Sequence, residues 1–146
     1  MFVYYLRKNK GWTLDNTKQT VLLIEDDEMI LDIYSRILSK EFNLFTTDKV
    51  KEFYEIINKN NIDCFLIDLS LGLQKSGLVL IKELRASEKY FDTPIIVVTA
   101  HAFAKDERIC MEAGATKFIR KPIENQRLIK EVNRVLQKGK MNSFKV

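Results

Sequence analysis

Val21-Leu22-Leu23-Ile24-Glu25-Asp26-Asp27-Glu28 decides the reading of this chain: four apolar residues run without a break into four acids. Three other stretches repeat the pattern. Cys64-Phe65-Leu66-Ile67 stops at Asp68, Ile95-Ile96-Val97-Val98 stops at Thr99, and Phe118-Ile119 leads through Arg120 to Lys121-Pro122. Short β-branched-rich runs separated by helix-patterned segments read as buried parallel strands. In an open parallel sheet the carboxyl ends of the strands share one edge, and ligands bind where the strand order reverses. Carboxylates, a hydroxyl and an ammonium are thereby expected at one small site, which suits a divalent cation and a phosphoryl group.

Between the strands the spacing predicts helices. Met29, Ile30, Ile33, Tyr34, Ile37 and Leu38 recur at helical intervals up to about residue 40, and a short strand follows at 42–47. Asp48 is placed to cap a second helix whose stripe is Val50, Phe53, Tyr54 and Ile57. A third strand at 62–68 leads into a loop with Gly72 and Gly77, then a helix capped by Ser76 and buried through Leu78, Leu80, Ile81 and Leu84. The fourth strand ends near Thr99. A fourth helix at 103–113 is stopped by Gly114, a fifth strand covers 115–119, and a fifth helix at 124–137 carries Leu128, Val132, Val135 and Leu136. The order is (βα)₅. Right-handed crossovers put helices on both faces, so the expected fold is α/β: a doubly wound five-stranded parallel sheet, flavodoxin-like, in order 2-1-3-4-5.

Composition narrows the classes. At 146 residues the chain suits one domain. No apolar run approaches the roughly 20 residues that span a bilayer, and Met1–Leu6 is too short for a signal-peptide core. A cytoplasmic location is the expectation, with no membrane partner. The net charge of +4 is misleading until it is located. Arg7, Lys8, Lys10 and Lys18 against Asp15 give residues 1–19 a charge of +3, Lys138, Lys140 and Lys145 give residues 138–146 another +3, and the rest carries −2. Basicity in the tails does not indicate nucleic-acid binding. The expected organisation is a basic extension at 1–19, with Trp12 or Tyr4 available to pack on the domain, a domain at 20–138 and a short tail at 139–146. Cys64 and Cys110 form no metal motif and read as buried hydrophobes, unpaired in a reducing compartment.

An acidic pair after the first strand, an Asp ending the third, Thr-Ala ending the fourth and Lys-Pro after the fifth make the chain resemble the receiver domain of two-component response regulators. The resemblance covers about residues 20–138. It implies that Asp68 is the phosphoacceptor, a carboxylate forming an acyl phosphate as aspartyl-phosphate enzymes do. It implies Mg²⁺ held by Asp26, Asp68 and the backbone carbonyl of Ser70, with Glu25 acting through water. Oxygen ligands and a bridging role to phosphate suit that ion. Because Asp27 and Glu28 extend the run, a register one residue later is open. Asp26 is preferred, with Asp27 starting the next helix as a first-turn acid.

The resemblance further implies that Lys121, aimed by a cis Lys121–Pro122 bond, pairs with a phosphoryl oxygen, and that Thr99 hydrogen-bonds another while Ala100 leaves room for entry. Phe118 matches the aromatic switch position. Two departures lie in the loop after Asp68: Gly72 stands where the family has proline, and Gly77 falls one residue late. His101 sits where hydrolysis of the acyl phosphate is tuned in this family, or is an exposed loop histidine with no role.

The expected function is a phosphorylation-operated switch rather than an enzyme acting on an external metabolite. Its donor would be a sensor histidine kinase or phosphotransfer protein. Its output would be a downstream protein, or a second copy in a homodimer, met through the fourth helix, fifth strand and fifth helix. About nine residues follow the fifth helix, too few for an effector, so the chain is either a stand-alone receiver or a fragment of a longer regulator. Two other readings compete: a receiver that only docks partners, and an aspartyl-phosphate phosphohydrolase of the haloacid-dehalogenase type. The latter wants an Asp two residues after the nucleophile, where Ser70 stands.

Overall fold

The computed structural model describes residues 14–100 and 103–143. Five strands, β1 (Thr20–Ile24), β2 (Asn43–Thr47), β3 (Cys64–Ile67), β4 (Ile95–Thr99) and β5 (Lys117–Arg120), alternate with helices α1 (Glu28–Leu38), α2 (Val50–Lys59), α3 (Gly77–Ala86), α4 (Ala104–Ala113) and α5 (Asn125–Ser143). All pairings are parallel and the order is β2-β1-β3-β4-β5, as expected from the sequence.

Strand periodicity divides the core. Leu22 and Ile24 face a cluster with Phe53, Phe65, Leu80, Leu84 and Cys110. Val21 and Leu23 face the other, with Tyr34, Leu38, Cys64, Leu128 and Val132. Both faces of the central strands are therefore buried, which explains their unbroken apolar runs. The two cysteines are free, buried and in different clusters.

Several local expectations need correcting. Helix α5 does not stop near Gln137 but continues to Ser143, so the first part of the expected tail is helical. Met29 is 70% exposed and Ile33 42%, so α1 buries only the Tyr34–Leu38 side of its apolar set. Asp48 does not cap α2: that helix starts after Lys49, whose side chain makes no capping bond. Ser76 occupies the cap position of α3 but also makes no side-chain bond there. Gly114 closes α4 in the left-handed conformation, φ +114°, as its position suggested.

Of the basic extension, residues 14–19 form a turn tied to β2. The Asn43 amide donates to the carbonyls of Asp15 (2.8 Å) and Lys18 (3.1 Å), and the Asp15 N–H donates back to Asn43 Oδ1. Trp12, Tyr4 and His101 lie outside the described residues. Among the described residues no helix is long and apolar enough to cross a membrane.

Candidate functional site

Register builds the site. Ile24 pairs with both Thr47 and Ile67, so the next residue on each inner strand, Glu25 and Asp68, emerges side by side. The ladder runs one step further on both sides of β1: Glu25 N–H donates to Thr47 O and Asp68 N–H to Ile24 O, each at 3.1 Å. On the other flank Thr99 pairs with Arg120, and Lys121 N–H donates to Thr99 O at 3.0 Å. The residues that follow β1, β3 and β5 thus meet at one edge, where the chain crosses from one side of β1 to the other.

Carboxylate oxygens of Glu25, Asp26 and Asp68 all lie within 4.8 Å of one another. Glu25 and Asp68 are buried and Asp26 is exposed, so the group opens to solvent on one side. The Lys121 ammonium closes the other: it forms an ion pair with Glu25 and donates to Asp68 Oδ2 at 3.1 Å. Its side chain is only 9% exposed. The Lys121–Pro122 bond is cis. Asp68 Oδ1 accepts from the Ser70 N–H at 3.2 Å.

The acidic run sorts itself by hydrogen bonding. Asp27 Oδ1 accepts from the N–H groups of Met29 and Ile30, which makes it the cap of α1 rather than a residue inside its first turn. Glu28 is the first helical residue. Only Glu25 and Asp26 remain to face Asp68, so the later register has no geometric support.

Three carboxylates around one ammonium leave the site short of positive charge. Burial pushes Glu25 up to about 7, and the neighbouring Asp68 adds to the rise while the Lys121 bond opposes it. For Lys121, burial alone would lower the ammonium, but the Glu25 bond and the Asp68 charge outweigh it and hold it above its ordinary value. Hard oxygen donors, a charge deficit and an open side together fit a small divalent cation.

Gly77 has a different purpose from the backbone freedom expected of it. A Cβ there would stand 2.2 Å from the Asp68 carbonyl and 2.9 Å from Leu69 Cα, so α3 can start only where the side chain is absent. Its N–H donates to Leu69 O at 3.0 Å, closing the loop at its base. Gly72 does need its freedom, at φ +65°.

Thr99 is fully buried at the end of β4, and Phe118 is half-buried on β5, packed against the cluster that holds Cys110 and Leu80. The sequence also hid a neighbour of the site. Tyr34, read only as part of a core stripe, lines a cavity of about 400 Å³ with Ile30, Ile33, Ala100, Lys121 and Pro122. Burial raises its phenol, and Lys121, Glu25 and Asp68 are close enough to act on it.

The family profile described as the response regulator receiver domain matches residues 21–133. The chain belongs to that family, and so is a signalling module of two-component systems. A curated relative, the cell cycle response regulator CtrA of Brucella ovis, is 31% identical over 121 residues, which are 82% of this chain and 51% of that protein. The chain therefore spans about half the length of the curated relatives it matches. Among solved structures, a CheY-like receiver domain protein from Methanospirillum hungatei superposes with a TM-score of 0.79 at 21% identity, over 86% of this chain and 98% of that one. The receiver domain of a sensor histidine kinase from Pseudomonas aeruginosa, which has a magnesium ion coordinated in its active-site cleft, superposes with a TM-score of 0.74 at 24% identity, over 82% and 98%. These two likenesses show the fold.

Proposed function

We propose that the chain is a phosphorylation-operated switch in which Asp68 takes a phosphoryl group from a phosphohistidine of a sensor histidine kinase or phosphotransfer protein. The observation that carries this reading is the meeting of Glu25, Asp26 and Lys121 around Asp68. A carboxylate oxygen of Asp68 forms the new bond to phosphorus while the phosphorus–nitrogen bond breaks and its electron pair returns to the imidazole. Asp26, Asp68 and the Ser70 carbonyl would hold Mg²⁺ directly, with Glu25 reaching it through water. Bound there, the ion neutralises charge on the transferring oxygens. Lys121 supplies a second positive point from the closed side.

The strand pairing supports a relay to a partner. Thr99 turns its hydroxyl to the new phosphoryl oxygen and Phe118, half-buried beside the same cluster, moves into the space released. Ion pairs already link β5 to both flanking helices, Arg120 to Glu107 on α4 and Lys117 to Glu131 on α5. A shift of β5 therefore reaches the α4-β5-α5 face, which we assign to a downstream protein or a second copy of the chain. Couplings of this kind are typically about 1–3 kcal/mol.

Intact-mass spectrometry after incubation with acetyl phosphate and Mg²⁺ tests the reading. One added phosphoryl group, absent in Asp68→Asn and absent when EDTA replaces Mg²⁺, is expected. No adduct on the parent protein favours a docking module, and rapid turnover of a phosphomonoester favours a phosphohydrolase. Either result overturns the proposal.

A further inference from the structure

Helix α2 lacks a cap of its own, and a residue 24 positions away supplies one. The Val50 N–H donates at 2.7 Å to Oε1 of Gln74, which lies in the loop between β3 and α3. The same amide donates through Nε2 to the carbonyls of Asp48 (3.0 Å) and Leu71 (3.2 Å). The side chain thus engages its acceptor and both donors, although Gln74 is an exposed loop residue.

Those bonds hold a loop that has few other restraints. Between Leu71, which is buried, and Gly77, which is pinned under Asp68, every residue is exposed, and Leu73 stands wholly in solvent. The turn from Leu71 to Gln74 passes through Gly72 at positive φ and is closed by Gln74 N–H to Leu71 O. Lys75 adds a second strap, donating to Tyr54 Oη on α2 at 2.9 Å and pairing with Glu83 on α3 at 3.1 Å. Ser70, whose carbonyl is assigned to Mg²⁺, is the residue immediately before this braced turn.

We infer that Gln74 is a positioning residue of the phosphoryl site: by capping α2 from the loop it fixes the backbone that presents the Ser70 carbonyl. This rests on the reading of the site given above. Outer residues that orient metal ligands typically alter metal affinity 10–100-fold when removed. Gln74 acts through the backbone, so the lower end, about 10-fold, is expected.

The test separates capping from loop fastening. Gln74→Ala should lower the urea midpoint and weaken Mg²⁺ binding about 10-fold by isothermal titration calorimetry. Adding Lys49→Ser places a hydroxyl at the cap position of α2, where it can accept from an N–H of the first turn without Gln74. The double variant should recover the urea midpoint and keep the weakened Mg²⁺ affinity. Recovery of both together, or unchanged Mg²⁺ affinity in Gln74→Ala, overturns the inference while leaving the site assignment intact. A parent protein that binds no Mg²⁺ overturns both.

Discussion

Glu25 offers the sharpest link between geometry and a measurable quantity. It is 2% exposed, beside Asp68 and Asp26, and its carboxyl is pushed up from 4.5 to about 7. Between those values the folded protein holds a proton that the unfolded chain has released, so stability falls as pH rises. The contribution is fully present below pH 4.5 and gone above about 7. At about 1.36 kcal/mol per unit, this side chain removes roughly 2–3 kcal/mol of stability between pH 5 and 8 when no metal is present. Lys121, held above its ordinary value, remains cationic throughout that window and does not mask the effect. Urea unfolding of the parent and of Glu25→Gln in EDTA, at pH 5, 6, 7 and 8, reads it, because groups remote from the site are common to both proteins and cancel. The stability difference should shift in favour of Glu25→Gln by about 2–3 kcal/mol from pH 5 to 8, and saturating Mg²⁺ should shrink that shift. A difference that stays constant to within about 0.5 kcal/mol would refute the claim that this carboxylate is desolvated among anions.

Two further substitutions probe the scaffold. Gly77→Ala drives a methyl into the Asp68 carbonyl, a backbone atom that cannot step aside, and should cost about 3 kcal/mol or more in urea unfolding together with loss of the acyl phosphate. A cost below about 1 kcal/mol would mean that α3 begins differently. Arg85→Ala removes a clamp in which one guanidinium donates to Gly114 O, Tyr90 O and Thr93 O at 2.8–3.0 Å, tying α3 to the segment before β4 and to the turn between α4 and β5. A loss of about 2–4 kcal/mol is expected. Lys in its place should recover little, since a point charge cannot reproduce the planar fork. Full recovery by Arg85→Lys would show that charge alone matters there.

How much of this was legible beforehand depends on the range of the interactions involved. Asp68, Lys121 and the acidic pair could be read because each follows directly on a strand, and parallel strands deliver their ends to a common edge. Asp27 could not be separated from Asp26 by spacing. Its assignment depends on which carboxylate reaches two free N–H groups, a matter of one residue's direction. Asp48 has the residue type and position of a local cap, whereas the acceptor for Val50 comes from Gln74 across the fold. The extra length of α5 is not legible in the sequence because Lys138 and Lys140 continue it on a polar surface, where no hydrophobic period marks the end.

Unbroken apolar runs, helical spacing and strand-end chemistry, all local properties, determined the element order, the doubly wound sheet and the identity of the acidic and basic residues at its edge. Only the tertiary structure decided their distances, the shared grip of Lys121 on Glu25 and Asp68, and the burial that makes Glu25 reluctant to ionise. The reason is physical. Desolvation and charge coupling depend on what surrounds a group in space, and residues 25, 68 and 121 become neighbours only when β1, β3 and β5 align.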